Sequence, residues 1–156
     1  SPLNTNLARL REWCRAEPVR KRAPRRLLIG TNLREFPIEC VKELVADVVS
    51  TEQIDAYRPH RHEGSQLRRF LSRECGVEIM EPDLPLELDI CFGDSGDQFW
   101  VLPGNSSFVL PQLVDDPARI RHVKVADKLE SSGRLDAGSI LYSNKVRNLE
   151  NLISGT

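Results

Sequence analysis

The stretch Arg26-Leu27-Leu28-Ile29-Gly30, followed by Pro37-Ile38-Glu39-Cys40-Val41-Lys42-Glu43-Leu44-Val45-Ala46-Asp47-Val48, decides the fold. The first part is a short apolar run that stops at a glycine, the pattern of a buried strand. In the second part Ile38, Val41, Leu44, Val45 and Val48 recur at spacings of three and four, which marks one face of an amphipathic helix. Pro37 suits the first turn of that helix. Residues 53–57 then read as a second strand, closed by Pro59. Gly64 and Ser65 lead into a helix carrying Leu67, Phe70, Leu71 and Cys75, with Gly76 as its stop. Residues 77–80 read as a third strand. Strands alternating with helices of this length indicate parallel pairing through right-handed crossovers.

Further along, the pattern changes. Leu86, Leu88, Ile90 and Phe92 alternate with Glu87, Asp89 and Cys91, which predicts a strand with one core face and one acidic face. Gly93-Asp94-Ser95-Gly96 reads as a turn, and residues 98–102 as the antiparallel return strand. Residues 107–110 read as another short strand. Asp116 and Pro117 open a helix with Ile120, Val123 and Leu129 turned inward, ended by Gly133. Residues 139–153 read as a last helix. The expected fold class is therefore α/β, a mixed sheet with a parallel three-strand portion followed by an antiparallel hairpin, and helices on both faces.

Towards the N-terminus, Leu3, Leu7, Leu10 and Trp13/Cys14 repeat at helical spacing. Residues 15–26 form a basic connector interrupted by Pro18 and Pro24. The expected organisation is an N-terminal helix and basic connector over residues 1–26 and a single α/β domain over residues 27–156.

A chain of 156 residues can bury a proper core. With 40% hydrophobic and 29% charged residues it does not have a disordered composition. No apolar run approaches the roughly 20 residues of a membrane span, so no membrane partner is expected. The N-terminus has no hydrophobic leader core. Cys14, Cys40, Cys75 and Cys91 are spread without a C-x-x-C pair. They read as reduced, buried residues of a cytoplasmic protein rather than as a disulfide framework or a zinc site.

The net charge of −1 hides a division. Residues 1–34 carry nine Lys/Arg and two acids, while residues 74–116 carry ten Asp/Glu and no Lys or Arg. The basic side returns at Arg119, Arg121, Lys124 and Lys128. Such segregation steers association with a protein partner or with a second copy.

Residues 86–92, the turn at Asp94 and Gly104-Asn105-Ser106-Ser107 lie in an order that resembles one half of the phospholipase D-like fold. That family carries a His, a Lys two residues on and an Asp after four more residues, followed by a Gly-Ser-x-Asn stretch. The correspondence puts Glu87 at the His, Asp89 at the Lys and Asp94 at the Asp, with Asn105 a loose match to the last position. It covers roughly residues 25–115. Acids in place of the His and Lys would repel a phosphodiester, so the resemblance implies the fold without the catalysis, as in ligand-sensing or regulatory domains.

Several residue groups have chemistry to offer. Glu87, Asp89 and Asp94, with Glu81, Asp83 and Asp97 around them, suit a hard cation such as Mg²⁺ or Ca²⁺; a solvated outer sheet face or an acidic docking surface explains them better. Pro82-Asp83 followed by Glu87-x-Asp89 is similar to the PD-(D/E)xK nucleases but lacks their lysine. His60 and His62, with Glu63 and Asp55, sit in a strand-to-helix loop where α/β proteins gather sites. Gly30-Thr31-Asn32 follows the first strand, where backbone N–H groups bind anions, but it lacks the glycines and lysine of a P-loop or dinucleotide fingerprint. No cofactor is implied. Arg20, Lys21, Arg22, Arg25 and Arg26 would bind a protein partner or nucleic-acid phosphates. Phe99 and Trp100 would serve as aromatic anchors, one of them turned inward by strand alternation. The leading expectation is a non-enzymatic binding or regulatory module. A metal-dependent phosphoesterase and a nucleic-acid-binding regulator are the alternatives.

Overall fold

The computed structural model describes residues 8, 9, 12, 24–81, 85–87, 89 and 96–155. Its centre is a five-stranded sheet of β1 (Arg26–Ile29), β2 (Ala56–Arg58), β3 (Glu78–Ile79), β4 (Gln98–Val101) and β5 (Ile120–His122), in the order β3-β2-β1-β4-β5. Every pairing is parallel. Around it lie α1 (Ile38–Glu52), α2 (Ser65–Arg73), α3 (Ser106–Leu113), α4 (Ala126–Ser131) and α5 (Ala137–Ser154).

The first half matches the expectation of strands alternating with helices. α1 starts directly after Pro37, whose backbone is still extended, and buries Cys40, Val41, Leu44, Val45, Val48 and Val49. α2 buries Leu67 and Leu71. Past its end Gly76 takes a φ of +66°, which suits glycine, and Val77 N–H bonds back to the Leu71 carbonyl.

Among the described residues the sheet is all parallel and no antiparallel hairpin forms, which corrects the expected fold class. Leu86, Glu87 and Asp89 are helical, with the Asp89 N–H donating to the Pro85 carbonyl at 3.0 Å. A few alternating residues after a proline fit one helical turn as well as they fit a strand. β4 runs parallel between β1 and β5, with Leu28 opposite Trp100 and Phe99 opposite Ile120. Its continuous apolar run Phe99-Trp100-Val101 is what a strand covered on both faces requires. The expected strand at 107–110 is part of α3, and the helix expected from Pro117 is a single 3₁₀ turn leading into β5.

The core has two layers, one on each face of the sheet. Leu28, Tyr57 and Trp100 pack with α1, α2, Leu129 of α4 and Val146 of α5. Leu27, Ile29, Ala56, Phe99 and Val101 pack with Leu110 and Leu113 of α3 and with Leu86. This change of face follows from the topology. Right-handed crossovers running outward from β1 to β3 lay their helices on one face, and the crossover from β4 to β5, running the other way, lays its helix on the other. The strand order therefore reverses between β1 and β4, which makes a topological switch point there. None of the described helices is long and apolar enough to cross a membrane.

Candidate functional site at the switch point

β1 and β4 stay paired to their carboxyl ends, and glycines there permit close approach of the segment after β4 to the one after β1, and of the end of β1 to β2. A Cβ on Gly104 would lie 2.3 Å from Thr31 Oγ1, and one on Gly30 would lie 2.5 Å from the Tyr57 hydroxyl. Beside them opens a crevice of about 460 Å³. Its polar lining is Arg58, His60, Arg61, Glu87, Asn105 and Ser106, drawn from the end of β2, the 85–89 turn and the start of α3.

Each group has a distinct state. Arg58 is 6% exposed and forms an ion pair with Asp89, which ties the 85–89 turn to β2. Burial lowers the pKa of this guanidinium, and Glu87 nearby opposes that. Glu87 makes no hydrogen bond among the described residues. Arg61 is exposed at the rim. His60 is half-buried and its Nδ1 accepts the His62 N–H at 3.2 Å. Burial, then the charges of His62, Arg61 and Arg34, push His60 below the usual imidazole pKa. At the mouth of α3 the Ser107 hydroxyl accepts from Gly104 N–H, and Ser107 and Phe108 N–H bond back to Gly104 and Asn105. The N–H groups of Asn105 and Ser106 have no acceptor among the described residues. Both residues line the crevice, so the positive end of the α3 dipole lies at its wall.

A second cavity, of about 310 Å³, lies on the other side of the β2–α2 loop. Leu33, Phe36, Ile38, Val41 and Leu67 line it, with Glu63. The Tyr57 hydroxyl donates to Glu63 Oε1, while Glu63 Oε2 is buried without a partner. Burial raises the Glu63 carboxyl, and burial together with Glu63 raises the Tyr57 phenol.

Of the residues singled out from sequence, His60 lines the crevice while His62 stands exposed beside it, ring centroids 5.5 Å apart. Asp55 is not with them: it sits at the opposite end of β2 and accepts the Arg26 N–H at 3.0 Å. Glu87 and Asp89 are brought together, but beside Arg58; Asp94 lies outside the described residues. No group of three His, Cys, Asp or Glu able to hold a metal forms among the described residues.

Phe99 and Trp100 are corrected as surface anchors, since each is 1% exposed. A sheet covered on both faces turns both rings inward. Arg26 lies 4.3 Å over Trp100 and donates to the Glu52 carbonyl and Gln98 Oε1. Arg25 pairs with Glu78 at 3.6 Å. Arg20, Lys21 and Arg22 lie outside the described residues, as do Cys14 and Cys91. Cys40 and Cys75 are free thiols. Of the residues that carry the phospholipase D-like resemblance, 86, 87 and 89 are helical and Asp94 lies outside the described residues.

Arg58, Arg61 and Ser106 were missed. The Gly-Asn-Ser-Ser run before an apolar stretch is a helix-start signal that would have pointed to the last of these. No family model matches the chain, and no curated protein or solved structure matches it.

Proposed function

We propose that this domain binds a small phosphate-bearing molecule in the crevice at the β1–β4 switch point. One observation carries the reading: Arg61, His60 and the Asn105 and Ser106 N–H groups, which have no acceptor among the described residues, line one crevice at the carboxyl edge of a parallel sheet, where the strand order reverses. Open α/β sheets take their ligands at that place, and a helix start with free N–H groups favours an anion. A cavity of about 460 Å³ suits a small ligand. Arg58 contributes field rather than a free hand, because Asp89 holds it. Glu87 opposes the anion.

Calorimetric titration with inorganic phosphate tests this. Arg61→Ala should weaken binding about fivefold to tenfold, the loss of one charge-assisted hydrogen bond at an exposed site. Glu87→Gln should strengthen it, because a nearby negative charge is removed. Absence of saturable binding to the wild-type chain, or indifference to both substitutions, would overturn the reading.

A further inference from the structure

The crevice holds more than an anion site. Glu87, with an acceptor-only carboxylate when ionised, stands in it with no hydrogen bond among the described residues. Asn105 and Ser106 also present an amide and a hydroxyl that no described residue engages. Arg58, whose charge Glu87 feels, is already taken by Asp89. An acid placed beside an anion-binding edge weakens a bare phosphate. It becomes an asset when the same ligand carries O–H donors next to its phosphate, since a carboxylate accepts from two neighbouring hydroxyls at once.

Resting on the phosphate reading above, we infer that the ligand is a sugar phosphate or a similar polyol phosphate. Its phosphate lies at Arg61, His60 and the start of α3, and adjacent hydroxyls donate to Glu87. Asn105, exposed at the lip of the crevice, serves a further hydroxyl. Asp89, whose N–H bonds to the Pro85 carbonyl and whose carboxylate pairs with Arg58, holds Glu87 in place. This makes Glu87 the residue that selects among phosphate esters.

The test compares ribose 5-phosphate, methyl phosphate and inorganic phosphate by calorimetry on the wild-type chain, Glu87→Gln and Glu87→Ala. The wild type should prefer ribose 5-phosphate over methyl phosphate about tenfold, the worth of hydrogen bonds to a charged acceptor. Glu87→Gln should cut that preference to about twofold while improving inorganic phosphate, and Glu87→Ala should remove it. Circular dichroism establishes that both variants fold. If inorganic phosphate binds but ribose 5-phosphate has no advantage, the polyol inference fails and the phosphate reading stands. A preference that survives both substitutions equally overturns the role of Glu87. If none of the three binds, the phosphate reading itself has failed.

Discussion

The two wings of the sheet are held by different means. On the β1-β2-β3 side, consecutive strands and helices close over one another with apolar side chains, and Leu44, Val45, Val48, Leu67 and Leu71 form a layer over Leu28 and Tyr57. On the β4-β5 side and in the helices that follow it, an apolar layer of Phe99, Val101, Leu110 and Leu113 is joined by polar ties that reach far along the chain. Asp97, 1% exposed, accepts the Arg25 N–H at 2.8 Å from 72 residues away. Glu150 Oε1 accepts the Val125 and Ala126 N–H groups, each at 2.9 Å. The Ser139 hydroxyl donates to the Glu35 carbonyl at 2.8 Å, across 104 residues. Apolar periodicity is local information, while a buried carboxylate says nothing in sequence about which amide it will meet.

The comparison is sharpened most by removing one apolar side chain from the first wing. Leu71 is fully buried in α2, against α1 and the sheet. Leu71→Ala should cost about 3 kcal/mol, the transfer loss plus the cavity left behind. Denaturant unfolding measures it; a loss below about 1 kcal/mol would mean that this wing collapses around the gap and is not the packed layer described.

The same contrast explains what could be read in advance. The helical face over residues 38–48 spans several turns and leaves no competing period, so β1, α1, β2, α2 and β3 were legible. Over residues 86–92 a period of two matched a strand, but Pro85 and the Asp89 carboxylate, captured by Arg58, turn the described part into a helical turn. Phe99-Trp100-Val101 was apolar on both faces, which a hairpin strand with one wet face is not. That was the available sign of a central parallel strand. The crevice was half legible: Gly30-Thr31-Asn32 and His60 lay at the correct edge. Its other wall depended on where β4 inserted, which no local pattern specifies.

The second wing should yield to a polar substitution. Glu150→Ala leaves the Val125 and Ala126 N–H groups buried without an acceptor. It should cost about 2 kcal/mol, less than Leu71→Ala because water can reach part of the site after the carboxylate is gone. Glu150→Gln keeps one acceptor oxygen and should cost about half as much. Hydrogen exchange at Val125 and Ala126 should accelerate in the alanine variant. A loss under about 0.5 kcal/mol, with exchange unchanged, would show that α4 is held by Leu129 packing and erase the contrast between the wings.

The smallest effect is expected at the crevice between them. His60 is held below the usual imidazole pKa, so it is mostly neutral in the free protein at pH 7. Its protonated form is disfavoured by folding, so its contribution opposes the folded state as pH falls below about 6.5. A bound dianion reverses this locally by favouring imidazolium. Affinity should therefore rise as pH falls, because binding takes up a proton. Sulfate is the clean probe, since its own charge stays constant over this range. Its affinity should increase about threefold to tenfold between pH 7.5 and pH 5.5, as binding raises the His60 pKa. The slope should vanish in His60→Gln and persist in His62→Gln, because His60 lines the crevice and His62 does not. A slope that follows His62 instead would move the anion out of the switch-point crevice and onto the exposed loop.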